Sequence, residues 1–197
     1  KLPTVNPMPQ SQSIQHLTAS RRADRQLTDE AAINALLNTA EVGYLAVAVD
    51  GQPYINSNLF WFDGQRIYFH TARQGRTRSS IEANPRVCFT VTERGRYLPA
   101  DTAMEFSVEY SGVVVFGRAS VLADAAEKTR ALQGLLDKYF PHLKPGRDYR
   151  PITPGELART AVFAVEIEAV SGKRKTAPPD FPAEGPLRAF YSADDVV

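Results

Sequence analysis

Three arginines, Arg73, Arg76 and Arg78, crowd around Gly75 in the stretch RIYFHTARQGRTRSSIEANPRVCF, Arg66 to Phe89. Strand formers Ile67, Tyr68 and Phe69 precede them, and Asn84-Pro85 closes the stretch before a second apolar run. The pattern reads as strand, glycine-bearing turn, short helix, stop, strand. Arginines at a helix start oppose the macrodipole, which is already positive there. They make sense around an anion, because free N–H groups and guanidinium forks both bind phosphate. The chemistry is therefore the holding of a phosphate-bearing ligand; the alternative is a solvated basic helix.

A second candidate is Asn56-Ser57-Asn58, a polar centre between Tyr54-Ile55 and Leu59-Phe60. Polar groups inside a strand cost stability unless satisfied, either by a ligand with hydrogen-bonding edges or by water. His16, His70 and His142 lie far apart, and with Cys88 as the lone cysteine no metal-ligand spacing occurs. No metal is expected. Cys88, between Val87 and Phe89 on a strand, reads as an inert buried thiol. Neither a GxSxG elbow nor a GxxxxGK[ST] loop is present.

The elements that would position these residues follow in chain order. Residues 1–20, rich in Pro, Gln and Ser, read as a loose N-terminal arm. Thr28-Asp29-Glu30 offers a helix cap, and Ala31 to Leu37 carry the helix. Val42 to Val49, Tyr54 to Phe62 and Arg66 to Thr71 are strands joined by Asp50-Gly51 and Asp63-Gly64, which predicts a three-stranded antiparallel meander. A fourth strand spans Arg86 to Thr92, and Glu93 to Asp101 reads as a loop. Glu105 to Val121 is strand-rich, with a break or bend expected near Tyr110-Ser111-Gly112. Asp124 to Phe140 is an amphipathic helix with Ala131, Leu132, Leu135, Leu136 and Tyr139 on one face. Prolines and glycines from Pro145 to Gly155 mark an irregular connection, Thr160 to Val170 is the last strand, and a Pro-rich tail follows. Many short strands with few helices indicate a small barrel rather than a βαβ fold.

A length of 197 residues fits one domain with tails. A net charge of +1 gives no sign of a nucleic-acid or membrane partner. No apolar run is long enough to span a bilayer, the N-terminal residues are too polar for a signal peptide, and the lone cysteine fits a reducing compartment. A cytoplasmic location is expected.

Taken together, the helix and first hairpin, YFHTARQGRTRSSIEANPRVCF, RGRYLPADTAMEFSVEYSGVVVFG, FPHLKPGRDYRPIT and VSGKRK resemble the FMN-binding split barrels of the pyridoxamine-5′-phosphate-oxidase-like superfamily. The chain is most similar to their nitroimidazole-resistance branch, over about Arg22 to Lys175. The resemblance implies a mainly β fold with flanking helices: a six-stranded antiparallel split β-barrel over residues 21–175, with an arm at 1–20 and a tail at 176–197. It implies a homodimer with FMN at the subunit interface. Phe69, His70 and Thr71 would lie along the flavin, with Gly75, Arg76 and Arg78 at its phosphate. Asn56, Ser57 and Asn58 would border the ring edge, and Tyr110, Ser111, Gly172 and Lys173 would add contacts, partly from the second subunit. Relatives often carry Lys where Thr77 stands, a polar side chain at Gly112 and Trp at Val170. The Arg-x-His block of true pyridoxamine-phosphate oxidases is absent after Gly172, so vitamin B6 synthesis is not expected.

The chemistry implied is redox chemistry carried by the flavin. The reading is an FMN-dependent oxidoreductase acting on a small aromatic or nitro compound with electrons from NAD(P)H. The alternatives are a non-catalytic flavin carrier, or a barrel binding haem or F420. His70 is the one candidate for a catalytic role, in proton delivery or substrate stacking, or else it packs the flavin.

Overall fold

The computed structural model describes residues 14–181. Most of the expected arm and tail, residues 1–13 and 182–197, lies outside the described residues. In chain order the elements are β1 (Gln26–Leu27), α1 (Glu30–Thr39), β2 (Gly43–Val49), β3 (Gln52–Asn58), β4 (Phe60–Phe62) and β5 (Arg66–Ala72). They continue with α2 (Arg76–Ala83), β6 (Arg86–Leu98), β7 (Ser107–Val121), α3 (Ala125–Tyr139), α4 (Pro154–Arg159) and β8 (Thr160–Lys175).

The strands form one antiparallel sheet in the order β3-β2-β6-β7-β8-β5-β4, with β1 added along β8. Its two ends, β3 and β4, are separated in the chain by Leu59 alone. The sheet therefore closes on itself as a barrel. The resemblance predicts six strands and the described residues form eight; β3 and β4 taken as one bent strand, with the two-residue β1 set aside, give the six.

The expected meander is corrected by that closure. Tyr54 to Phe62 is not one strand beside β5: Gln52 to Asn58 pairs with β2, and only Phe60 to Phe62 pairs with β5. The hairpin turns hold. Asp50 and Gly51 both take positive φ, 51° and 77°, as a tight two-residue hairpin requires. The Asp63 carboxylate accepts from the Gln65 and Arg66 N–H groups at 2.9 and 2.8 Å.

The barrel interior follows from period-two alternation. Leu45, Phe60, Phe69, Phe89, Val115 and Phe163 are at most 1% exposed. Each such burial contributes roughly 1.5–3 kcal/mol relative to exposure. Leu36 and Leu37 of α1 and Ile81 of α2 complete this cluster. Asp29 caps α1 by accepting from the Ala31 N–H at 3.0 Å. A second cluster lies on the outer face, where α3 covers Tyr68, Val162 and Ala164 through Ala131 and Leu132. Gly134 is needed there: a Cβ at that position would meet the Trp61 ring at 2.2 Å.

Other elements run further than expected. β6 continues past Thr92 to Leu98, because Tyr97 and Leu98 pair with Val108 and Ser107 across a register shift. Arg96 and Glu109 brace that arm with two hydrogen bonds of 2.9 Å. β7 is unbroken at Tyr110-Ser111-Gly112, which ladders onto Lys175-Arg174-Lys173. The irregularity falls instead between Phe116 and Gly117. β8 reaches Lys175 for the same reason, its end being held by β7. The Pro-rich connection contains α4, opened by a capping box of Thr153 and Glu156. The arm is not loose at its end: Ser171 Oγ donates to the Thr18 carbonyl at 3.2 Å.

Candidate functional site

β5 delivers the chain to Arg73, and Gly75 turns it into α2 with φ 147°, a conformation that strongly favours glycine. No side-chain cap covers the first turn, so its N–H groups face outward. Arg78 Nε donates to Glu82 Oε1 at 2.8 Å and its Nη1 to the Arg73 carbonyl at 3.0 Å. With Gln74, Gly75 and Ser79 these residues line a cavity of about 370 Å³. Arg73 has no carboxylate partner among the described residues.

Arg76 points to the other side of the same turn. Its guanidinium lies 5.1 Å from the Tyr54 ring centroid, over a cavity of about 530 Å³ lined by Val49, Gln52, Pro53, Tyr54, Ser79 and Ser80. Ser79 borders both cavities. The donor set (two arginines without carboxylate partners among the described residues, hydroxyls and a bare helix start) fits a phosphate. The sequence places Arg73, Arg76 and Arg78 around one anion and gives no role to Tyr54 or Ser79, whereas the structure divides the three arginines between two cavities. The signal was present: residues two apart on a helix project about 200° apart.

The polar centre of β3 resolves differently along its length. Asn58 is 8% exposed. Its Nδ2 donates to the Asn56 carbonyl at 3.0 Å, and Asn56 Nδ2 donates to Asn58 Oδ1 at 3.1 Å. One bond thus joins the two amides, and the other ties Asn58 to the β3 backbone. Ser57 alternates with them and is exposed on the outer face, between Ile55 and Leu59.

At Leu59 the barrel splits. Among the described residues, β5 beyond Phe69 has a ladder partner only in β8, and β3 has one only in β2. The facing edges of Ser57-Asn58 and His70-Thr71-Ala72 therefore carry no ladder, leaving backbone groups for another partner. Gly75 and Arg76 stand just past the end of that edge. Phe69 itself belongs to the core, its ring stacked on Phe163 at 4.9 Å. Thr71 Oγ1 donates to the Ala72 carbonyl at 2.9 Å.

His70 projects outward from the split edge into a third cavity of about 360 Å³, lined by Leu132, Leu135, Leu136, Tyr149, Arg150, Ile152 and Glu156. Burial holds the imidazole below its ordinary pKa, so it is neutral at pH 7. The apolar face that the sequence shows on α3 packs on the sheet through Ala131 and Leu132 and also lines this cavity through Leu132, Leu135 and Leu136.

Tyr110, Ser111, Gly172 and Lys173 form a separate group on β7 and β8. Arg174 Nε donates to Ser111 Oγ at 2.9 Å, and a Cβ on Gly172 would meet the Leu27 carbonyl at 2.6 Å. β7 lies three strand spacings from β3, about 14 Å across the sheet, and on β8 Gly172 and Lys173 stand far along the strand from Val162, the partner of His70. One chain thus brings together Ser57, His70, Gly75 and Arg76 but not these four. Among the described residues no group of three or more His, Cys, Asp or Glu is placed to hold a metal ion. No described helix is long and apolar enough to cross a membrane.

A family model for pyridoxamine 5′-phosphate oxidase matches residues 29–174. Among solved structures, the flavocytochrome Anf3 of Azotobacter vinelandii superposes with a TM-score of 0.72 at 23% identity, covering 93% of this chain and 83% of that one. A FAD and haem binding protein of Mycobacterium smegmatis gives 0.70 at 26% identity, over 79% and 76%. A candidate 5-nitroimidazole antibiotic resistance protein of Bacteroides thetaiotaomicron gives 0.63 at 18%, over 76% and 86%. No curated protein sequence matches the chain.

Proposed function

Because the chain belongs to the pyridoxamine 5′-phosphate oxidase family, we propose that it is a flavin-binding oxidoreductase, with the flavin in the split between β3 and β5. The observation that carries this reading is the alignment of an unladdered strand edge with a phosphate-ready helix start. The ring would lie toward His70 and Ser57, and the phosphate toward Gly75, Arg76 and Arg73. The M. smegmatis relative, which binds FAD, supports a flavin. FMN is the proposed form, its single terminal phosphate answering the arginines on either side of α2.

A bound flavin would supply electron transfer between NAD(P)H and a small aromatic or nitro compound. The chain's own residues bind, orient and shield it. Tyr110, Ser111, Gly172 and Lys173 would reach the flavin of a second copy, which makes the functional unit a homodimer. The outer face supports this: Tyr44 on β2, Ile55 on β3 and Leu59 just beyond β3 are 43%, 63% and 51% exposed.

The test is the absorption spectrum of the purified protein, followed by NADH oxidation with a nitroarene. Flavin bands with turnover support the reading. Flavin bands without turnover indicate a carrier, a Soret band indicates haem, and a colourless protein that takes up no added FMN overturns it.

A further inference from the structure

The cavity beneath His70 is walled by Leu132, Leu135, Leu136 and Ile152. At about 360 Å³ it falls at the small end of ligand pockets. It has a cation, but the charge is spent. Arg150 Nη2 donates to Glu156 Oε1 at 2.8 Å, and its Nη1 to Glu156 Oε2 at 3.4 Å and the Pro151 carbonyl at 3.1 Å. Arg150, and behind it the Thr153 N–H and hydroxyl, hold the Glu156 carboxyl down at about 2, so the pair persists at neutral pH. His70 is neutral. What remains is a donor: Tyr149 Oη accepts from Gln133 Nε2 at 2.8 Å, which leaves its own hydrogen free to donate. The site is apolar, net uncharged and offers hydrogen-bond donors.

We propose that this cavity binds an uncharged aromatic electron acceptor of one or two rings, of the quinone class, with Tyr149 donating to its carbonyl oxygen. A quinone is flat and presents only acceptors, which suits these walls. Its role as electron acceptor rests on the flavin reading above. The overall step is quinone plus NAD(P)H plus a proton giving hydroquinone plus NAD(P)⁺. Two electrons and one proton come from the nicotinamide as hydride equivalents, and the second proton comes from solvent. His70 stands on both the split edge and this cavity, so the two ligands would meet there.

The probe is menadione, compared with menadione sulfonate, titrated calorimetrically into the protein as purified. Menadione is expected to bind at one site and more tightly than the sulfonate. Leu136→Trp, which fills the cavity, should weaken menadione at least about tenfold. Tyr149→Phe should weaken it about five- to tenfold, the loss of one hydrogen bond. Glu156→Gln keeps the helix cap but unpairs Arg150, so the sulfonate should gain about fivefold or more while menadione holds within twofold. If the sulfonate binds the wild type as tightly as menadione, or if Tyr149→Phe changes nothing, the assignment is wrong. Tyr149 lies on a surface segment, so that variant decides even where Leu136→Trp fails to fold. Cavity-dependent menadione binding by a protein that takes up no flavin would leave the ligand site standing and overturn its role in electron transfer.

Discussion

Arg76 stands over the face of Tyr54, its guanidinium carbon 5.1 Å from the ring centroid. This stacking holds the cation at the mouth of one cavity while Arg78, two residues on, is tied to Glu82 in the other. The two arginines are therefore not equivalent. Arg76→Ala should weaken FMN binding about ten- to a hundredfold, the worth of one charge-assisted hydrogen bond. Arg78→Ala should weaken it less, since its donors are partly occupied. Riboflavin affinity, measured by fluorescence quenching, should be nearly unchanged in both. Equal losses for FMN and riboflavin would mean that the arginines act through folding.

Gly134 and Trp61 make a second pair with a measurable consequence. Glycine within a helix ordinarily costs about 1 kcal/mol against alanine. Here the alanine Cβ would overlap the indole. Gly134→Ala is expected to destabilise by about 1–3 kcal/mol through overpacking. In a Trp61→Leu background the same change should become neutral or stabilising. Urea unfolding of the four proteins decides it, and stabilisation by Gly134→Ala alone would refute the packing.

Lys138 lies half-buried with its Nζ 3.6 Å from the Phe60 ring centroid. Burial lowers its pKa from 10.5 to about 8. The unfolded chain therefore binds more protons between these two values. In that window stability should rise with pH, and below it the full cost of the buried charge remains. Relative to Lys138→Met, wild-type stability should climb from pH 8 toward 10. A difference that stays flat or falls over that range would contradict the burial of the charge.

Ile55 is 63% exposed on β3, on the proposed subunit face. Ile55→Lys should leave the fold intact, since the side chain contributes little to the core, yet shift a dimer to monomer and release flavin. Sedimentation velocity with absorbance at a flavin band reads both. Retention of dimer and flavin would move the interface elsewhere.

Much of this molecule is determined by local sequence. Strand alternation, the Asp-Gly hairpins, the Asp29 cap and the Gly75 turn depend on neighbours in the chain, and each is where the residues place it. The uncapped, arginine-flanked start of α2 is legible for the same reason. Tertiary structure alone decided the rest. Nothing near Leu59 says that the chain changes partner there, because that switch comes from closing the sheet through β7 and β8, more than a hundred residues away in places. The same closure extends β6, β7 and β8, since strand ends are held by a distant partner's ladder rather than by local propensity. Asn56 and Asn58 stand in the sequence as polar groups in need of a partner, and only the folded strand brings the Asn56 amide onto Asn58 Oδ1. Helical periodicity reveals the apolar face of α3, whereas only packing determines how much of that face is left to line a cavity.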